Sequence, residues 1–322
     1  MQITPSNLQA MFTAYDVRFQ QAYKALTPWW SQVASQAPSS AAQNTYAWMA
    51  KIPTLRKWLG ERQIQNVAAY SYTVVNDDYE LTMELDRNVI EDDQYGLYNP
   101  VIDEMGWQTK KWPDFLIQEL LMAGDGNLAG TSMSAAATLC YDGLSFFNAA
   151  HPTDSKNTAI SPSTQSNYFT GTALTPDNYM KVRSAMMQFK GEDGKPLGVI
   201  PDTLIVPPQL EYMGRSILNS DMISFGTVQG VAVVGPQTNV IKGTADLLVV
   251  PELGLRPTEW YLISTKRAIK PFLFQQRAAP EFVYFNQPNS EAVFHRRKFV
   301  YGVRARGAAG YSVPFLAAKA LA

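Results

Sequence analysis

The chain reads as an α+β protein, and three observations say so. A helical run lies near its middle, from Asn99-Pro100 to about Gly124, strand-forming segments flank that run on both sides, and a second helix-and-strand unit opens at Thr175 and closes near Ile263. With 322 residues, 46% of them hydrophobic, the chain is long enough for a large core. A prior of roughly 150 residues per domain makes it about two domains.

Residues 1 to 44 come first. They hold a short amphipathic stretch (Leu8, Met11, Phe12, Tyr15, Phe19, Tyr23), then Pro28-Trp29-Trp30, then an uncharged run from Ser31 to Asn44. So thin a segment cannot bury its own aromatic residues, so an arm lying on a neighbouring surface is expected. From Tyr46 to Asn76 two β-leaning stretches surround Leu55-Arg-Lys-Trp-Leu-Gly-Glu-Arg62, and Tyr70 to Val75 is rich in aromatic and β-branched residues, which predicts a long projecting hairpin. Tyr79 to Asp86 alternates polar and apolar residues with period two, the mark of a half-buried strand.

The central helix starts at Asn99-Pro100, carries Phe115, Leu116, Leu120 and Leu121, and ends at Gly124-Asp-Gly126. Pro113 lacks an N–H and crowds the preceding turn, so a kink or restart is expected there. Residues 153 to 175 are rich in Ser, Thr and Asn and mark a long loop or boundary. The second unit then has a helix facing inward with Tyr179, Val182, Met186 and Phe189, a strand at Thr203 to Val206, a helix with Leu210, Met213, Ile217 and Leu218, and short strands at Val231 to Val234, Leu247 to Val250 and Trp260 to Ile263. The last 55 or so residues return to strands at Phe272 to Phe274, Phe282 to Phe285 and Phe299 to Val303.

Composition narrows the function. Charged residues are 17% of the chain, below the usual ~25%, which suggests surface buried against other chains. The formal net charge of −1 argues against a free-standing nucleic-acid binder. A single cysteine excludes an intrachain disulfide, and no basic run followed by an apolar core opens the chain. No apolar stretch approaches the roughly 20 residues that span a bilayer. The expected setting is cytosol-like.

Chemistry concentrates in Tyr141-Asp-Gly-Leu-Ser-Phe-Phe-Asn-Ala-Ala-His-Pro152, beside Cys140. Read as an active site, Cys140 or Ser145 is the nucleophile, His151 the base and Asp142 or Asp154 the orienting acid of a hydrolase. Against this, Leu144-Ser145-Phe146 has no Gly-x-Ser-x-Gly elbow, and His151-Pro152 suits a turn. The other reading is a structural loop whose polar groups cap their neighbours. Gly124-Asp-Gly126-Asn-Leu-Ala129 has the letters of a dinucleotide fingerprint but follows a helix, so it reads as a helix end. Two histidines and one cysteine make a zinc or iron site unexpected, and the carboxylates Glu91, Asp92 and Asp93 fit no calcium loop. No cofactor is expected.

Charge is unevenly spread. Residues 77 to 104 hold ten Asp or Glu against Arg87, and residues 266 to 306 hold nine Lys or Arg against Glu281 and Glu291. These segments either pair within one chain or meet head to tail across copies, through residues such as Glu91, Asp92, Asp93, Arg296 and Arg297.

The order of parts resembles the tailed-phage major capsid proteins, and within them the Mu-like phage major head subunit family. The resemblance rests on Trp58-Leu-Gly-Glu-Arg62, Ile90-Glu-Asp-Asp93 with Gly96 and Tyr98, Tyr141 to Pro152, Pro201-Asp-Thr-Leu-Ile-Val-Pro-Pro208, and Ala268-Ile-Lys-Pro-Phe272 with Gln276, Arg277 and Pro280. It implies a Hong Kong 97-like fold: N-terminal arm (1–45), extended β-hairpin loop (46–80), peripheral domain with a spine helix (81–170 and 265–322) and axial domain (171–264). It also implies self-assembly into the hexamers and pentamers of an icosahedral virion shell around double-stranded DNA contacted non-specifically, with assembly in the host cytoplasm, no catalysis and no membrane. The expected partners are a separate scaffolding protein, a portal and a decoration protein. Trp58 and Leu59 are the expected anchors of the extended loop, with Arg56, Lys57 and Arg62 facing acidic neighbours. A cross-link from Lys51 or Lys57 to Asn286 or Asn289 is the further possibility the resemblance raises.

Overall fold

The computed structural model describes residues 4–46, 72–92, 95–153, 161–191, 194–224, 227–228, 231–232, 235–285 and 297–322. In chain order its main elements are helix α1 (Pro5–Ala25), strands β1 (Ala34–Pro38), β2 (Gln43–Tyr46), β3 (Tyr72–Val75) and β4 (Asp77–Asp86), and helix α2 (Asn99–Ala123). There follow β5 (Tyr168–Phe169), α3 (Pro176–Met187), β6 (Thr203–Val206), α4 (Glu211–Asn219), β7 (Asp246–Val249), β8 (Glu259–Ile263), β9 (Phe272–Phe285), β10 (Lys298–Tyr311) and β11 (Ala317–Leu321).

Two sheets carry the fold. The first has the order β1-β9-β10-β4, with β9 and β10 forming an antiparallel ribbon of 14-residue strands from Phe272 opposite Tyr311 to Phe285 opposite Val300. Its register slips between Gln276 and Glu281. Pro280 lies in that irregular stretch, where a residue without an N–H interrupts no regular ladder. The two segments expected as separate strands at Phe272 and Phe282 are therefore one strand with a bulge. The base of the expected hairpin is present as β2 paired antiparallel with β3, while residues 47–71 lie outside the described residues.

The second sheet has the order β7-β6-β8-β11-β5. Side chains alternate across it. Leu204, Val206, Trp260, Leu262, Ala318 and Ala320 face α3 and α4, which bring Tyr179, Val182, Met186, Ile217 and Leu218. Ile205, Tyr261, Ile263 and Ala317 face the C-terminal half of α2 at Ile117, Leu120 and Leu121. Each such large side chain contributes about 1.5–3 kcal/mol by leaving water. The closing strand β11 lies between β8 and β5, pairing antiparallel with the first and parallel with the second. Three small alanines let β11 lie between β8 and β5.

Helix α2 is continuous for 25 residues with Pro113 inside it. The expected restart does not occur. An interior proline costs about 3 kcal/mol, and packing on both sides of it outweighs that: Ile102 and Met105 before it are buried with α1, and Leu116 to Ala123 after it against the second sheet.

The amphipathic stretch near the N-terminus is the 21-residue helix α1, capped by the Thr4 hydroxyl accepting from the Asn7 N–H at 3.3 Å. Its apolar face does lie on a neighbouring surface, and that surface is the chain's own. Leu8, Met11, Tyr15 and Phe19 are buried against α2 and against Phe282, Phe299, Tyr301 and Val303 of the ribbon. Farther on, the Trp30 N–H donates to buried Asp114 of α2 at 2.7 Å. Burial pushes the Asp114 carboxyl up to about 6 although the Trp30 N–H favours the carboxylate, so the cost of burying the charge lowers stability as the pH rises through that value while the bond itself strengthens.

The two helices meet where the sequence has Gly106. A β-carbon there would lie 2.7 Å from the Phe19 carbonyl oxygen and 2.9 Å from the Ala22 β-carbon. Gly106→Ala must push α1 off α2, and overpacking of this kind costs about 1–3 kcal/mol. The denaturant midpoint should fall accordingly; an unchanged midpoint would mean that α1 is not seated on α2.

Candidate functional site

After Ala123 the chain leaves α2 through Gly126, which has φ +86° and donates its N–H to the Ala123 carbonyl at 2.8 Å. The glycine pair is thus a helix end. The segment that follows turns at Gly143 (φ +77°), with the Cys140 N–H donating to Leu144 O and the Gly143 N–H to Cys140 O. The turn drives Phe146 and Phe147 into the core, where Phe146 stacks on Tyr311 with centroids 4.5 Å apart.

Three polar side chains of this block meet. His151 Nδ1 is 2.6 Å from Asp142 Oδ2, and Nε2 is 3.0 Å from the Phe146 carbonyl oxygen. A carbonyl only accepts, so Nε2 is the nitrogen that donates to Phe146, and Nδ1 faces the carboxylate. The Cys140 thiol donates to Asp142 Oδ1 at 2.9 Å. Both side chains of the His151–Asp142 pair are essentially without exposure. Burial works to raise the Asp142 carboxyl, but hydrogen bonds from His151 and Cys140 prevail and hold it below its usual range. Burial pushes the Cys140 thiol up, away from the thiolate.

This arrangement does not support the hydrolase reading. Both ring nitrogens of His151 are engaged, Ser145 is not among its hydrogen-bond partners and instead bridges Leu139, and Cys140 points to the acid and not to a base. Asp154 lies outside the described residues. Cys140, Asp142 and His151 are also the one group of metal-ligand types among the described residues, with donor atoms within 4.8 Å of one another. Asp142 already joins the other two by hydrogen bonds. The block is a polar pin in an aromatic core.

A second buried polar cluster was not foreseen. Lys319 of β11 is wholly buried, with Nζ 2.8 Å from Asp125 Oδ2 at the end of α2 and 2.8 Å from Glu259 Oε2 of β8. Tyr261 Oη donates to Glu259 Oε2 at 2.6 Å. The only hint in the sequence is a lysine inside the apolar run Phe315 to Leu321.

Among the described residues, two ion pairs join the acidic and basic segments within the chain. β4 lies beside β10, and Lys298 bonds Glu84 while Arg306 lies 3.4 Å from Asp78. Arg304 pairs with Glu281 at 2.8 Å and Arg18 with Asp103 at 2.5 Å. Of the expected contact residues, Glu91 pairs with Arg87 four residues earlier, Asp92 is exposed, and Arg297 is exposed with its carbonyl accepting from the Arg87 N–H. Arg56, Lys57, Trp58, Leu59, Arg62, Asp93 and Arg296 lie outside the described residues. Large apolar side chains stand in solvent on the second unit, Tyr212 at 82%, Val240 at 75% and Met222 at 59% exposure. No helix among the described residues is long and apolar enough to cross a membrane.

Asp142→Asn tests the pin. The carboxylate accepts a hydrogen bond from Cys140 and lies against His151, and bonds to a charged group contribute about 1.5–3 kcal/mol each, so the variant should unfold at lower denaturant at neutral pH. The carboxyl is lowered in the fold, so its contribution is present above the ordinary carboxylate value of about 3.9 and lost as the pH falls through the lowered one. Wild type and variant should therefore converge in acid; equal stability at neutral pH would refute the pin.

Comparison with known proteins assigns the chain. A family profile described as Mu-like prophage major head subunit gpT matches residues 8–173, 164–253 and 254–321. The major capsid protein of Escherichia phage Mu is 25% identical over 311 residues, 97% of this chain and 72% of that protein. Among solved structures, a procapsid chain of bacteriophage JBD30 superposes with a TM-score of 0.58 at 28% identity, covering 99% of this chain and 76% of that one. The JBD30 capsid decorated with minor capsid protein trimers gives a TM-score of 0.51 at 25% identity over 70% of this chain and 90% of that one. The expected Hong Kong 97-like α+β fold is therefore present, and the chain belongs to the Mu-like prophage major head subunit gpT family, as a structural major capsid protein of a tailed-phage head and not an enzyme.

Proposed function

We propose that copies of this chain assemble as hexamers and pentamers that close an icosahedral head around double-stranded DNA. The observation that carries this reading is the family match from residue 8 to 321, which leaves no large part of the chain for another task. The likeness to a procapsid subunit supports it. In this reading residues 1–45 are the arm, 46–80 the extended loop, 81–170 with 265–322 the peripheral domain around spine helix α2, and 171–264 the axial domain.

Assembly takes place in the host cytoplasm on a separate scaffolding protein, with a portal at one vertex, and the finished subunit resides in the virion. The packaged DNA is contacted through its phosphates without sequence choice. The relative in bacteriophage JBD30 forms a capsid decorated with minor capsid protein trimers, and a decoration protein is a partner of this chain by the same token. The loop residues Trp58 and Leu59 anchor one subunit on the next, with Arg56, Lys57 and Arg62 meeting acidic neighbours, because aromatic and arginine side chains dominate interface energies. Glu91, Asp92, Asp93, Arg296 and Arg297 contribute at contacts between copies.

Expressed with its scaffolding protein, the chain should sediment as very large particles that are closed shells by electron microscopy. Trp58→Ala with Leu59→Ala should leave the subunit folded, with an unchanged melting profile, and abolish shells. Wild-type protein that stays a compact dimer at high concentration with and without scaffold overturns the proposal.

A further inference from the structure

Lys319 is the only lysine or arginine that is buried among the described residues. It stands on β11 opposite Tyr261 of β8 and points toward the end of α2. Its Nζ has two carboxylates at 2.8 Å, Asp125 and Glu259, the Met122 carbonyl at 3.5 Å, and the Tyr261 ring centroid at 5.7 Å. The two carboxylates are not equivalent. Glu259 is bonded by the Tyr261 hydroxyl at 2.6 Å and has a second cation, Arg256, at 3.8 Å. Asp125 has the Tyr168 hydroxyl donating to Oδ2 at 3.4 Å and, besides Lys319, no cation among its ion-pair partners. An amine that is wholly buried, a carboxyl and a separate carboxylate that are nearly so, and a half-buried hydroxyl aimed at the reacting carboxyl thus share one site.

We propose that Lys319 and Asp125 condense into an isopeptide bond within the subunit, with Glu259 carrying the proton. Glu259 takes a proton from the ammonium and delivers it to the Asp125 carboxyl. The freed amine pair attacks Asp125 Cγ, forming the C–N bond, while the Tyr168 hydroxyl holds the oxygen that gains charge. Glu259 then removes the second proton from nitrogen and returns it to the departing oxygen, so that the C–O bond breaks and water leaves. One ammonium and one carboxylate become one amide and one water, with no oxidant or other reactant.

Two physical terms favour the step. Held ions in a dry interior carry a desolvation cost that a neutral amide does not. The groups are also already in contact, an oxygen of the carboxyl standing 2.8 Å from the nitrogen, so little orientation entropy remains to be lost. After condensation Glu259 keeps Arg256 and the Tyr261 hydroxyl as partners, leaving no orphan charge. The bond ties the end of the spine helix to the closing strand across 194 residues of chain, a closure that restricts the unfolded ensemble. It differs from any bond between subunits in leaving the monomer mass on a denaturing gel unchanged.

Intact mass of the full-length protein under denaturing conditions reads the outcome. Wild type should be lighter than its sequence mass by one water, and proteolysis should yield a branched peptide joining the segments around Asp125 and Lys319. Lys319→Arg, which keeps a cation in the pair, and Glu259→Gln should both have full sequence mass. Wild type at full sequence mass overturns the proposal, as does loss of a water that persists in Lys319→Arg.

Discussion

Everything in this subunit hangs on one helix that must satisfy two sheets at once. The first half of α2 is buried with α1 over the long ribbon, and its second half lies on one face of the five-stranded sheet, so the two units share a core member and do not merely touch. That double duty explains why its C-terminal turns are apolar nearly all round, with Leu120, Leu121, Met122 and Ala123 buried in succession. It also explains why Pro113 is tolerated: neither half of the helix is free to swing, because each is held by a different partner.

The two buried polar clusters sit at the end of that helix. Asp142 and His151 fix the turn that carries Phe146 and Phe147 back under the sheet, and Asp125 with Lys319 and Glu259 fixes the point where the helix stops. Apolar packing alone is forgiving of small rotations. Directional bonds inside a dry core are not, and they select one angle between helix and sheet. A subunit whose edges must match those of its neighbours depends on such a fixed angle more than on total stability.

Local signals in the sequence reached the elements and stopped at their partners. The period-two pattern of Tyr79 to Asp86, the Thr175-Pro176 helix start and the apolar run Thr203 to Val206 all correspond to elements of the fold, because each is decided by residues close in sequence. The fusion of Phe272 to Phe285 across Pro280 was not legible, since the bulge that accommodates the proline depends on β10, a strand more than a dozen residues further on. The destination of β11 was hidden for the same reason: its alanines fit an interior slot that only β8 and β5 define. The Asp142, His151 and Cys140 types were visible at once, yet whether they formed a catalytic group or a pin turned on which way the two imidazole nitrogens point. Family resemblance, carried by the order of many weak motifs, decided function where chemistry at single residues could not.

Among the described residues, strand β4 closes one side of the first sheet and has no partner beyond it. An open edge invites another strand, and in a protein made in many copies the nearest candidate is the same edge of a twin, which would give endless ribbons. Five carboxylates lie along β4, at Asp77, Asp78, Glu80, Glu84 and Asp86. Two of them are met by Lys298 and Arg306 of β10, and where the others stand, two such edges brought together would set acid against acid. Charge on an exposed edge of this kind disfavours pairing with the same edge of another copy.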